Sequence, residues 1–312
     1  MLDISYTISP RLKEYLDKIE KTRRQILLTP VSPKTELRLK WEATFDRIYC
    51  TLYLAENSIN RKDMLKLLSN NTKKKTTKEQ YGIIAYKKAL DHLYQNWLGS
   101  SNSINAQAVI DLHKIIATGQ MRVPKAGLQF LLDYLQTRSE NPIIKAAVIN
   151  IEMEKMKLFS THNTEIAHLA SLLFLYKYGY DFKGFLAYEK EWEKERKAYD
   201  ENHSRALTAP SLTLWLEYFA GSMLNEAENV LQSLEKPRNA SLELQESFWK
   251  LNERQKSILG FLDQPQSAIT NRQVQKRCKT TQVTASRDLA KLTNLGFLFS
   301  HGKGRSVYYT KI

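Results

Sequence analysis

Apolar positions recur three and four residues apart through almost all of the chain before about residue 250, and alternation of strand length is scarce. That period predicts an all-α amino-terminal part. It places helices at about 10–28, 35–56, 60–69, 78–97, 104–117, 126–137, 142–157, 164–178, 185–199 and 211–234. In NPIIKAAVINIEMEKMKLF the apolar face is Ile144, Ala147, Val148 and Ile151. In LASLLFLYKYGY it is Leu169, Leu172, Leu173 and Tyr176. Asn141-Pro142 supplies an N-cap followed by an N1 proline, and Gly179 a C-terminal stop. YEKEWEKERKAYDEN mixes signs, with Glu193 and Lys197 spaced for an i,i+4 pair, and reads as a wet helix face with Tyr188 and Trp192 inward. KPRNASLELQ breaks the pattern, which divides the chain into residues 1–236, a connection over 237–250, and residues 251–312. After Asn252 the order becomes helix, short helix, turn, helix, strand, Gly-rich turn, strand. The predicted fold class is mainly α, with a small β-hairpin near the end.

Composition adds little until charge is located. The chain has 312 residues, 42% hydrophobic and 26% charged, and its length suits two domains of ordinary size. No apolar run approaches the ~18 to 20 residues that span a bilayer, and the opening MLDISYTISPRLKEYL lacks the features of a secretion signal. A soluble, cytoplasmic protein without membrane contact is the expectation. Cys50 and Cys278 are far apart with no metal-ligand spacing, so both read as reduced thiols. Net charge is +14, and from Leu251 onward 11 Lys and Arg face 3 Asp and Glu, so the last 62 residues carry +8 of it. Such concentration suits a phosphate-facing surface, where each neutralised phosphate releases counterions. The lysines of NNTKKKTTK, by contrast, read as a solvated turn, because no aromatic residue is interleaved for base stacking.

The stretch KLFSTHNTEIAH, between the two apolar helices, gathers Lys157, His162, Glu165 and His168 in one polar loop. With KEQYGIIAYKKALDHL and IDLHKIIATG before it and SLTLWLEYFAGSML after it, the order resembles the Fic (Fido) family over about residues 35 to 230. Members resemble one another most in a loop written HPFxxGNGRxxR. Its His takes a proton from a target hydroxyl, and its amides and Arg hold nucleotide phosphates at a helix N-terminus. Counting back from Gly179-Tyr180, the resemblance puts Lys157 at the catalytic His, Leu158 at the Pro, Phe159 at the Phe and Asn163 at the Asn. His162 and Thr164 fall at the two glycines, and Glu165 and His168 at the two arginines. Only Phe159 and Asn163 match. An ordinary lysine is protonated at neutral pH and accepts no proton. A carboxylate at 165 opposes a triphosphate, and the lost glycines remove cheap access to positive φ.

Two further departures point the same way. The family's target-aligning flap lies after the phrase matched by IDLHKIIATG, where only QMRVPKAG, residues 120–127, precedes the next helix; the flap reads as deleted. The family's inhibitory motif, Ser/Thr-x-x-x-Glu-Gly/Asn, survives only as Glu56 and Asn57, with Leu52 at the hydroxyl position and Thr51 one residue early. Glu165-x-x-His168, with His162 a turn earlier, has the spacing of half a di-iron site, but no second Glu-x-x-His accompanies it. Transfer chemistry, nucleotide binding, a cofactor and a metal are therefore not expected.

Residues 253–310 resemble a winged helix-turn-helix. Thr281 is placed to cap a helix from about Gln282 to Asn294, with Val283, Leu289 and Leu292 inward and Gly296 ending it. On that resemblance Gln282, Thr284 and Ser286 face bases or phosphates, Arg287 and Lys291 neutralise backbone, and Lys303 and Arg305 arm a wing tip. The alternative for Arg287 is a local partner near Asp288 or a helix end. Double-stranded DNA is the expected partner, with a homodimer on it. The reading is a Fic-like pseudoenzyme joined to a DNA-binding, transcription-regulator-like module. Its rivals are an active nucleotidyltransferase using Lys157, Asn163 and His168, and a scaffold whose degenerate cleft binds peptide; for the winged helix itself the alternative is protein contacts.

Overall fold

The structure, a computed structural model, describes residues 4–57, 60–69, 77–117, 121–122, 124–235, 251–262, 267–295, 297–302 and 304–311. The predicted interdomain connection and the run of lysines at 73–75 lie outside the described residues, as does Gly296. The chain divides into two compact units. The first draws on residues within 1–30, 43–59 and 77–237, the second on 31–42, 60–76 and 238–312.

Helices in chain order are α1 Pro10–Leu28, α2 Pro33–Leu54, α3 Arg61–Ser69, α4 Lys78–Trp97, α5 Ala106–Ile116 and α6 Lys125–Thr137. They continue with α7 Pro142–Met156, α8 Asn163–Lys177, α9 Glu189–Lys194, α10 Arg196–Thr208 and α11 Thr213–Glu235. The first unit is built around α7 and α8, which pack on each other; α4 and α5 lie against α8, and α6, α10 and α11 against α7. Start signals behave as their chemistry demands. Ser9 caps α1, Thr77 and Gln80 form a capping box on α4, and the Asn141 side chain accepts from the Ile143 amide at 2.9 Å. Gly179 ends α8 at φ 74°. Where α1 meets α11, a Cβ on Gly221 would stand 3.3 Å from the Tyr15 ring, so the glycine permits the close approach.

Two sequence expectations change here. The one-sided apolar faces of α7 and α8 are buried all round: every residue from Ile143 to Met153 and from Glu165 to Tyr176 is withdrawn from solvent. The single helix expected over 185–199 is two, separated at Glu195, whose backbone leaves the helical region at φ −106°, ψ 48°. Seven helical residues advance ~10 Å, too far for ring contact, whereas the break brings Trp192 and Tyr199 to a stacked 5.2 Å.

The second unit contains α12 Glu253–Gly260, β1 Ala268–Thr270, α13 Asn271–Cys278, α14 Gln282–Asn294, β2 Leu298–His301 and β3 Tyr308–Lys311. The antiparallel strands lie in the order β1-β3-β2, with Ile269 opposite Tyr309 and Ser300 opposite Tyr309 from the other side. Ile258, Ile269, Val274, Ala285, Leu289, Leu292 and Leu298 form its core. Asp288 is buried on α14 and accepts from Gln255 Nε2 at 2.7 Å and from Arg254 Nε, which ties α12 to α14. Gly302, at φ 80°, opens the β2–β3 connection; a Cβ there would stand 2.5 Å from the Ser306 carbonyl oxygen.

Candidate functional site

The polar loop joins α7 to α8, and its backbone takes two left-handed turns without glycine. Lys157 closes α7 at φ 44° and His162 precedes α8 at φ 62°. The loop is held from three sides. Asn163 accepts from the Phe159 amide and donates to the Phe159 carbonyl, each at 2.9 Å. Phe159 is buried and stacks on His113 with ring centres 3.9 Å apart. The Arg122 amide donates to the Leu158 carbonyl at 2.7 Å beside an antiparallel bridge between Met121 and Phe159. That bridge occupies the edge where a flap was expected to be missing; Gln120 and Val123 lie outside the described residues.

The motif positions scatter by role. Lys157 is exposed, and its ordinary contribution is the left-handed turn. His162 Nδ1 lies 2.9 Å from Glu165 Oε1, a contact that holds the imidazole pKa up, while the Glu165 side chain is buried in the first turn of α8. His168 is buried one turn further on. Tyr86 donates to Thr51 Oγ1 at 3.2 Å, and Thr51 Oγ1 lies 3.3 Å from His168 Nδ1, so one hydroxyl links α4 to the buried imidazole. Burial, helped by His203, pushes His168 down to about 3, so it is neutral. Burial raises the Glu154 carboxyl to about 7, an effect that the nearby Thr164 hydroxyl opposes.

Glu56 and Asn57 do not act as a motif on this loop by any contact among the described residues. Glu56 is exposed at φ 61°, and the Asn57 amide donates to the Leu52 carbonyl at 2.9 Å, so the pair caps α2. Within the same phrase it is Thr51 that reaches α8. Sequence reasoning read Thr51 only as a displaced motif hydroxyl and missed Arg47, Glu154, Glu189 and His203, each a polar residue isolated on an apolar helix or in a mixed-charge run. The available signal was a lone hydroxyl or charge at a position whose neighbours three and four away are apolar. Among the described residues, no group of three or more His, Cys, Asp or Glu is arranged to hold a metal ion.

In the second unit, Thr281 caps α14 through the Thr284 amide at 3.3 Å, as expected. Val283, expected inward, is 54% exposed; Ala285 and Asp288 take the inward places with Leu289 and Leu292. The reason is register: 285, 288, 289 and 292 share one helical face, and 283 lies across from it. Gln282, Ser286 and Arg287 are exposed, Thr284 and Lys291 half-buried. Ser286 Oγ accepts from Asn271 Nδ2 at 2.8 Å, and Thr284 Oγ1 lies 3.0 Å from Thr281 Oγ1. Arg254, not Arg287, is the partner of Asp288. Arg272, Lys276, Arg277 and Lys279 on or beside α13 are exposed. Lys303 and the Arg305 side chain lie outside the described residues. Among the described residues no helix is long and apolar enough to cross a membrane.

No protein-family model matches the sequence, and no curated protein matches it. Solved structures do. A Fic family protein from Desulfovibrio desulfuricans G20 is similar with a TM-score of 0.60 at 13% identity, over 99% of this chain and 98% of that one. Fic-1 from C. elegans is similar with a TM-score of 0.55 at 17% identity, over 72% of this chain and 71% of that one. A Fic domain containing signaling protein from Bacteroides thetaiotaomicron VPI-5482 is similar with a TM-score of 0.53 at 15% identity, over 75% and 100%. The mainly helical architecture of this chain is thus the fold of Fic family structures.

Proposed function

We propose that this protein is a DNA-binding, regulator-like protein whose Fic-like unit has lost nucleotidyl transfer and whose second unit works as a winged helix. One observation carries the first half: the buried Glu165 carboxylate, hydrogen-bonded to His162, stands in the first turn of α8, where the Fic resemblance puts the nucleotide phosphates. A helix N-terminus attracts an anion through its free amides and dipole, and a carboxylate already there answers that demand from within the chain. The other motif groups are spent as well. Asn163 is committed to Phe159 and His168 to Thr51, while Lys157, at the position of the family's base, is exposed and closes α7. The DNA half is supported by the +8 charge of the last 62 residues and by the exposed cations on and beside α13 and α14. The order of helices and strands is that of a winged helix, with Thr281 capping the helix that would enter the major groove.

The test uses the full chain, because the second unit also draws on residues 31–42 and 60–76. Labelled ATP with magnesium is expected to leave no AMP on the protein or on lysate proteins, and millimolar ATP to leave its melting temperature unchanged. A ligand at 100 times its Kd would stabilise by ~2.7 kcal/mol, so the second assay is sensitive. Duplex DNA is expected to bind with an affinity that falls steeply with salt, by ~0.9 in the log–log slope per phosphate contacted. Transfer abolished by Lys157→Ala would establish the enzyme reading instead, and absence of duplex binding at low salt would make the second unit a protein-contact module.

A further inference from the structure

We propose that Val283 is a specificity-determining residue that reads the 5-methyl group of a thymine in the major groove, with Gln282 and Arg287 beside it as the polar readers. The inference rests on the DNA-binding reading above and names what that surface selects. Val283 is the starting point, because an apolar β-branched side chain in the first turn of a helix is 54% exposed and lies outside the core of its own unit. The inward face of α14 is already complete with Ala285, Asp288, Leu289 and Leu292.

The exposed neighbours sort themselves by what they have left to offer. Ser286, one turn on, accepts from Asn271 Nδ2 at 2.8 Å, and Thr284 is engaged with Thr281 at 3.0 Å, so both hydroxyls already serve the turn between α13 and α14. Among the described residues the side chains of Gln282 and Arg287 make no hydrogen bond or ion pair, and both are exposed. Residues 283 and 287 are four apart and therefore adjacent on one face, with 282 at its amino-terminal rim. The face thus presents one amide, one guanidinium and two methyl groups. α3 also packs against α14 within this unit, yet leaves 282, 283, 286 and 287 exposed.

In the major groove an apolar side chain distinguishes thymine by its methyl group, Gln matches the N6/N7 edge of adenine, and Arg the O6/N7 edge of guanine. Exposed Arg272, Lys276 and Lys279 from the preceding helix supply cations for the phosphates that set the docking. Cation contacts of this kind act on all sequences alike, so they leave the choice of base to the three residues of α14.

The experiment takes duplexes selected by the full chain from a random pool and replaces each thymine of the bound site, one at a time, by deoxyuridine, which lacks only the methyl group. At one position the affinity is expected to fall about four-fold, the factor equivalent to ~0.8 kcal/mol for one buried methyl. Val283→Ala is expected to abolish that ratio while leaving the melting temperature unchanged, since the side chain supports no core. Arg272→Ala is expected to keep the ratio, whatever it does to overall affinity. Duplex binding with no thymine sensitive to its methyl, or a ratio that survives Val283→Ala, overturns the inference and leaves the DNA reading standing. No duplex binding by the parent chain overturns both.

Discussion

Arg47 on α2 and Glu189 at the start of α9 form a buried ion pair, Nε to Oε1 at 3.1 Å. The guanidinium also donates to Tyr176 OH at 2.7 Å and to the Leu186 carbonyl, so one side chain ties α2, the end of α8 and the approach to α9. Burial works against the charge on both partners, and the carboxylate keeps the arginine protonated. Removing one member strands the other without water. Glu189→Ala is expected to cost ~3 to 5 kcal/mol, read as a lower urea midpoint, whereas an apolar replacement of both residues is expected to cost less. Equal losses for the single and double replacements would remove the pair from its structural role.

Glu154 and His203 stand 4.0 Å apart, close enough for an ion pair, yet burial moves both toward their neutral forms, raising the carboxyl to about 7 and lowering the imidazole. The carboxyl's folded pKa lies above its unfolded one, so its contribution is full below the ordinary carboxylate range and lost as pH rises through about 7. Glu154→Gln is expected to flatten stability between pH 5 and 8 and to exceed the parent at pH 8 by up to about 3 kcal/mol. Unfolding curves at the two pH values check this; parallel pH profiles for parent and variant would refute it.

Asn163 matches the asparagine of the Fic loop, but its observed work is to close that loop on Phe159 with two hydrogen bonds of 2.9 Å. Its loss leaves a partly buried amide and carbonyl without their partner. Asn163→Ala is expected to destabilise by ~2 to 3 kcal/mol, and Asn163→Asp, which retains the acceptor but not the donor, by an intermediate amount. A neutral Asn163→Ala would show that the loop is held by Phe159 and the Met121 bridge alone.

The helices, the caps at Asn141 and Thr281, the stop at Gly179 and the second unit's order of elements apart from β1 were legible in the sequence; β1 was not, because three residues, Ala268–Thr270, are a strand only through their pairing with β3. Their causes are local: apolar spacing, a side chain three residues from an amide, a residue free to take positive φ. The alignment of the polar loop on Lys157, Asn163, Glu165 and His168 came instead from the Fic resemblance. Spacing also put Val283 inside, against the register that 285, 289 and 292 share, and 185–199 in one helix, which breaks at Glu195 and so lets Trp192 stack on Tyr199. Thr51 on His168, Arg47 on Glu189 and Glu154 beside His203 join residues 49 to 142 positions apart. Spacing along a helix specifies a stripe. Only packing decides which polar group within an apolar stripe meets a partner and which is left on the surface to find one, because burial makes a polar group costly unless another chain segment brings the matching donor or acceptor.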